Sequence, residues 1–310
     1  MRRLIASLAA AAALALGAPA AAQQSVRIIV VTHGQANDSF WTVVKNGVAA
    51  AGKDMNVQVE YRAPETFDMV AMSQLIDAAV NQKPSGLVVS IADASALGPS
   101  IKKAAAAGIP VISINSGSDE SKGLGALLHV GQDEIVAGRA AGTKLKEMGG
   151  KVGLCVNHEV GNVGLDLRCK GFQETFGGKV TVLPVPLDPA EIKVKVKAAL
   201  SSNSAIDTVL TLGAPEAGEP AVAAIREINR TNVRVATFDL SADFLKHVAA
   251  GEAAFAVDQQ QYLQGYLPVV FLANYARYGL IPGGDVPSGP NLITKDKAAQ
   301  VVDLSAKGIR

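Results

Sequence analysis

The chain has 310 residues, 49% hydrophobic and 18% charged, and its 29 basic and 28 acidic side chains leave a formal charge of +1. That even balance argues against a nucleic-acid partner, which needs a clustered basic surface. Two cysteines and four histidines occur, with no Cys-x-x-Cys and no clustered His, so no metal site is expected.

Met1-Arg2-Arg3, an apolar run from Leu4 to about Ala18 and Ala20-Ala21-Ala22-Gln23 read as a secretory signal peptide over residues 1–22. The run is too short and Ala-rich for a membrane span. Its removal deletes Arg2 and Arg3 and no acid, so the charge passes from +1 to −1. About 288 residues remain, 310 minus 22. That exceeds the usual single core, so two lobes of an exported, soluble protein are expected.

Strands are predicted at Arg27–Thr32, Val57–Arg62, Gly86–Ile91, Pro110–Asn115 and Leu127–Val130, then at Lys151–Asn157, Val180–Val185, Asp207–Leu212, Val233–Phe238 and Ala253–Asp258. Helices fill the gaps, at about 39–53, 67–82, 96–107, 134–148, 163–176, 189–202, 216–229, 241–250 and 262–278. Such alternation implies βαβ units and parallel sheets, and the near-continuous Val/Ile strands suit sheets covered on both faces. The order looks duplicated, since Ile112-Ser113-Ile114-Asn115 and Val235-Ala236-Thr237-Phe238-Asp239 each end a strand on a short polar side chain. The Gly/Pro-rich stretch 279–290 reads as a loop or lobe crossover, and the last twenty residues as a short tail helix.

No nucleophile elbow, phosphate loop, paired Gly-x-Gly-x-x-Gly or His-Glu-x-x-His occurs. His158-Glu159 lacks a second His and reads as a loop pair. Polar side chains do recur at strand ends: Asn37 and Asp38, Ser90 and Asp93, Asn115 and Ser116, Gln132 and Asp133, Asp239, and Gln259, with Arg168 on the helix after a strand. Ligands of open α/β sheets bind outside these carboxyl ends. Phe40 and Trp41 stand there too, as a wall for a ligand or as packing for the first helix. Carboxylates, amides and a guanidinium beside aromatic rings suit a neutral polyhydroxylated ligand, because an Asp or an Arg fork can engage two vicinal hydroxyls. Asp38, Asp93 and Asp133 also fit helix caps. Export permits a Cys155–Cys169 disulfide between a strand and the next helix; two buried thiols are the alternative.

Asp38-Ser39-Phe40-Trp41, the run Ala107 to Asn115, Arg168-Cys169-Lys170-Gly171-Phe172, Phe238-Asp239 and Gln259 stand in the order and spacing of a known family. From about Val26 to Thr294 the chain resembles periplasmic sugar-binding proteins of the ribose/galactose type, the solute receptors of ABC importers. The resemblance implies a type I periplasmic binding fold, two Rossmann-like lobes with parallel sheets joined by a three-strand hinge. The lobes would be 25–131 plus 260–288 and 132–259 plus 289–310. It casts Phe40 and Trp41 as stacking groups. Arg168, Asp239 and Gln259 would bind hydroxyls, with Ser90 and Asn115 as first-lobe counterparts; from the residues themselves, Asp38 and Gln132 are added as ligand-binding candidates. It also implies a periplasmic monomer with a sugar or polyol ligand, an ABC permease as partner, a chemoreceptor as an alternative partner, and no cofactor.

Two departures stand out. Ribose binders carry an Asp-Arg pair where this chain has Asn115-Ser116, and the family's amide after Asp207–Leu212 gives way to Gly213-Ala214-Pro215-Glu216. A ligand other than ribose is therefore expected. The rival from another class is an exported carbohydrate-active enzyme using Asp239 or Asp38, which predicts turnover. On the receptor reading, Asp239→Ala or Arg168→Ala abolishes binding and leaves the fold intact.

Overall fold

The computed structural model describes residues 25–34 and 38–310; the signal-peptide segment and Asn37 lie outside them. In chain order come β1 (Arg27–Val31), α1 (Ser39–Asp54), β2 (Gln58–Arg62), α2 (Met69–Asn81), β3 (Gly86–Ser90), α3 (Ala94–Ala106), β4 (Val111–Ile114), a short α4 (Ser118–Ser121) and β5 (Leu128–Gly131). There follow α5 (Glu134–Glu147), β6 (Val152–Asn157), α6 (Val163–Phe176), β7 (Lys179–Pro184), α7 (Pro189–Ser202), β8 (Thr208–Thr211), α8 (Glu219–Glu227), β9 (Arg234–Phe238), α9 (Ala242–Ala250) and β10 (Phe255–Asp258). The chain ends with α10 (Gln261–Tyr278), β11 (Val286–Pro287), β12 (Asn291–Thr294) and α11 (Lys295–Ala306).

Two six-stranded sheets form, in the orders β2-β1-β3-β4-β5-β11 and β7-β6-β8-β9-β10-β12. The second repeats the first strand for strand, as the duplicated sequence pattern suggested. Every pairing is parallel except β10 with β12, which is antiparallel. The α/β architecture with two lobes is as expected, but two short edge strands occupy what reads in sequence as loop and tail.

Apolar residues line both faces of each sheet. In β1, Ile29 and Val31 enter one core while Ile28 and Val30 enter the other; the second sheet likewise separates two cores. Aspartates cap five helices: Asp38, Asp68, Asp93, Asp133 and Asp188 accept bonds from first-turn amides, each contributing about 1 kcal/mol.

The chain passes between the sheets three times, after β5, after β10 and after β11. In each lobe one helix that begins at a crossing packs closely on the helix that follows the lobe's first strand. A Cβ at Gly47 of α1 would lie 2.1 Å from the Tyr262 carbonyl of α10, and one at Gly138 of α5 would lie 2.3 Å from the Arg168 carbonyl of α6. Only glycine admits these approaches, and the second sets the position of Arg168. Cys155 and Cys169 form a disulfide that ties β6 to α6 one residue beyond Arg168.

Candidate ligand-binding site

The strands' carboxyl ends from both lobes face one another across a cleft. Its wall includes Asp38, Phe40, Trp41 and Asn115 from the first lobe and Arg168, Asp239 and Gln259 from the second or its crossing. These are seven of the nine residues expected at the ligand. Asn115 and Asp239 hold equivalent places after β4 and β9, with φ of 64° and 66°. Asn and Asp tolerate that left-handed region better than other residues with a Cβ.

Ser90 and Gln132 stand outside the wall. Ser90 Oγ accepts from His33 N at 3.0 Å and bonds His33 Nδ1 at 2.7 Å, so the imidazole reaches the cavity in its place. Gln132 Nε2 donates to Glu134 Oε2 at 2.9 Å, turned toward the pair beneath Arg168. Its counterpart Gln259 faces the cavity and donates to Asp239 Oδ1 at 2.6 Å. Gln264 of α10 donates to Gln259 Oε1 at 2.9 Å and to Ser288 Oγ at 3.0 Å. Asn115 Nδ2 donates to Gln259 Oε1 at 3.3 Å, completing an amide network between the lobes.

Asp38 both caps α1, accepting from Phe40 N at 2.8 Å, and faces the cavity. Asp93 and Asp133 are caps alone in their hydrogen bonding. Trp41 is 2% exposed, packs over Gly34 and meets His33 and Phe40 edge-on at centroid distances of 4.8 and 5.0 Å. The aromatic pair therefore serves packing and cavity at once.

His33, His158, Glu159, Asn162 and Glu216 also line the wall. The loop after β6 brings three of them. Asn162 caps α6, donates to Glu159 Oε2 at 2.7 Å and lies 3.2 Å from Ser116 Oγ of the other lobe. Val163 N donates to Ala92 O at 3.0 Å across the same gap. Their sequence signals were faint: His158-Glu159 as an odd pair and Glu216 as a replacement for an amide.

Arg168 is the anchor of the second-lobe wall. Its Nε and Nη2 engage Glu134 at 2.6 and 2.9 Å, Nη1 donates to Leu212 O at 3.2 Å and lies 3.9 Å from Asp239, and the guanidinium covers the Phe238 ring at 4.6 Å. Burial opposes its charge, but Glu134, Asp239 and Glu159 outweigh burial and raise its pKa.

The remaining acids are held partly protonated. Burial raises Asp38 to about 6, against bonds from the Phe40 and Trp41 amides. It raises Glu159 and Asp239 to about 7, despite Asn162 and Arg168 respectively, and raises Glu216 well above the carboxylate range with Asp38 adding to it. Burial, then the Arg168 charge, lowers His33 and His158 to about 3, and burial lowers His129 to about 4.

These shifts predict a pH dependence. A raised carboxylate lets the folded state hold more protons than the unfolded one, so stability falls as pH rises; a lowered imidazole does the reverse. The two oppose each other between about pH 4 and 6.5. Above about pH 7.5 the imidazoles are neutral in both states, and from pH 6.5 upward the carboxylates outweigh what remains of their titration. Stability of the ligand-free protein is therefore expected to fall by on the order of 2 kcal/mol from pH 6.5 to 8, several degrees of melting midpoint. Scanning calorimetry at both values checks it; equal midpoints would mean that these acids are ionised throughout.

A family profile described as "Periplasmic binding protein domain" matches residues 28–280. A solved carbohydrate transporter from Acidothermus cellulolyticus 11B, in complex with myo-inositol, is 38% identical with a TM-score of 0.88, covering 92% of this chain and 100% of that one. The xylose/arabinose-binding protein XylF of Sulfolobus acidocaldarius is 24% identical over 267 residues, 80% of this chain and 66% of that protein, just under two thirds of its length. A xylitol-binding protein of Mycolicibacterium smegmatis is 26% identical over 262 residues, 80% of this chain and 73% of its own. The described residues contain no helix long and apolar enough to cross a membrane. With one profile spanning most of the chain and a relative matched over its whole length, this protein belongs to the periplasmic binding protein family.

Proposed function

We propose that the protein is the periplasmic solute receptor of an ABC importer, closing on a cyclic polyol or monosaccharide and handing it unchanged to a membrane permease. The observation that carries the reading is the cavity wall. Asp239, Gln259 and Arg168 converge on it from one side and Asp38 and Asn115 from the other, beside Phe40 and Trp41. Carboxylates and amides accept and donate to vicinal hydroxyls, and a ring face covers the apolar side of a sugar or cyclitol. The myo-inositol-bound relative supports the choice of ligand class, as do the relatives named for xylitol and for xylose and arabinose.

Closure would use the three crossings as a hinge, near Gly131-Gln132, Gln259 and Ser288-Gly289. Gln260 takes a φ of 54° at the second crossing and donates to Ser288 O of the third at 2.7 Å, so the two strands would move together. Asn115-Ser116 offers no charged clamp, so ribose is expected to rank low.

A thermal-shift screen against myo-inositol, xylitol, D-xylose, L-arabinose, D-glucose and D-ribose tests this. A ligand at a hundredfold excess over its Kd adds about 2.7 kcal/mol. The same titrations should change Trp41 fluorescence, and chromatography should recover the ligand unaltered. No stabilisation by any compound, with silent fluorescence, would overturn the reading; a converted ligand would restore the enzyme.

A further inference from the structure

We propose that the preferred ligand is an amino-substituted polyol or sugar, cationic at neutral pH, whose ammonium group lies against the Glu216 carboxylate and the His158 ring. This rests on the cavity being a polyol or sugar site and narrows its ligand class.

The wall is strongly acidic. Asp38, Glu159, Glu216 and Asp239 line it, while Arg168 is its single lysine- or arginine-type cation. The Arg168 fork is already committed to Glu134. Burial and mutual repulsion hold these acids toward their neutral forms when no cation is near, and a cationic ligand would let Glu216 ionise beside it.

The four acids are not equivalent. Asp38 is held by the Phe40 amide, Glu159 by Asn162, and Asp239 by Gln259 with Arg168 nearby. Among the described residues, Glu216 has no ion pair and no side-chain hydrogen bond to another residue, only one from its own backbone amide. Beside it stands an unsatisfied group. His158 is 9% exposed, lines the same wall, and its Nδ1 has no hydrogen-bond partner.

The two side chains meet over Gly213. A Cβ there would lie 2.7 Å from Glu216 Oε2 and 2.8 Å from His158 Cε1. Burial keeps the imidazole neutral, so one ring nitrogen is an acceptor. An ammonium group brings three donors and the missing charge, whereas a hydroxyl brings one donor and none. A bare metal ion is the poorer fit, because the described residues hold no group of three or more His, Cys, Asp or Glu arranged to bind one.

Calorimetric titration at pH 7 with matched pairs tests the proposal: myo-inositol against an amino-deoxy-inositol, D-glucose against D-glucosamine, and D-galactose against D-galactosamine. At least one amine is expected to bind about tenfold or more tightly than its hydroxyl parent. Glu216→Gln, which keeps the shape, is expected to bring that ratio to about one, with a melting curve confirming the fold. Parents that bind as well as or better than every amine would overturn the inference and leave the polyol reading standing. A preference that survives in Glu216→Gln would overturn the placement at Glu216. Failure of every compound to bind would overturn the polyol reading and the inference with it.

Discussion

Replacing Arg168 by alanine is expected to lower the melting midpoint by roughly 10 °C, as well as to weaken binding. Read from sequence, Arg168 was a ligand contact whose loss spares the fold. The burial of its pair with Glu134 argues against the second half of that expectation. Arg168 and Glu134 are each 2% exposed and joined through two hydrogen bonds. Removing one member of such a pair leaves the other charge buried without its partner, at about 3–5 kcal/mol. Gln132 alone cannot compensate Glu134, and the cover over Phe238 is lost as well. Arg168→Lys should recover only part, since an ammonium cannot form the planar fork. The double change Arg168→Met with Glu134→Gln should be less damaging than Arg168→Ala, because no unpaired charge remains. Calorimetry on the three variants decides; a midpoint for Arg168→Ala within two degrees of the parent would show that the pair contributes little.

Asp239→Asn is expected to weaken ligand binding by about a hundredfold or more, while the fold persists. Asp239 Oδ1 is occupied by Gln259, and the carboxylate faces the cavity with Arg168 at 3.9 Å. Hydrogen bonds to a charged group contribute about 1.5–3 kcal/mol each, and a carboxylate can accept from two hydroxyls. Asparagine is the informative replacement because it tolerates the φ of 66° at this position; alanine there adds backbone strain of about 1 kcal/mol and confuses fold with site. Titration of the best compound from the screen, alongside a melting curve, separates the two effects. An affinity within threefold of the parent would remove Asp239 from the binding set.

Much of the architecture was legible because its signals are local. Val/Ile runs bounded by amphipathic segments mark strands covered on both faces, and strands β1 to β10 and the helices between them fall within a few residues of their predicted positions. The edge strands β11 and β12 were not legible. β11 has only two residues, and both strands lie in or beside a Gly/Pro-rich stretch that reads as loop. Asp38, Asn115, Asp239 and Gln259, taken from strand ends, line the cavity. Ser90 and Gln132, from the same rule, turn elsewhere, because position along a strand does not say which way a buried side chain turns once a neighbour such as His33 or Glu134 takes its hydrogen bonds.

The sequence by itself determined the two-lobed α/β class, the capped helices, the aromatic pair and the polar identity of the strand ends. Each is set by local periodicity or by a residue's own chemistry. Tertiary structure alone decided the balance of charge. Glu134 neutralises Arg168 from 34 positions away, and the loop after β6 crosses to the other lobe to add His158 and Glu159 to the wall. Glu216 is left facing that wall without a cation. Electrostatic interaction depends on distance and burial rather than on order along the chain, which is why a site expected to suit neutral sugars emerges as an acidic one.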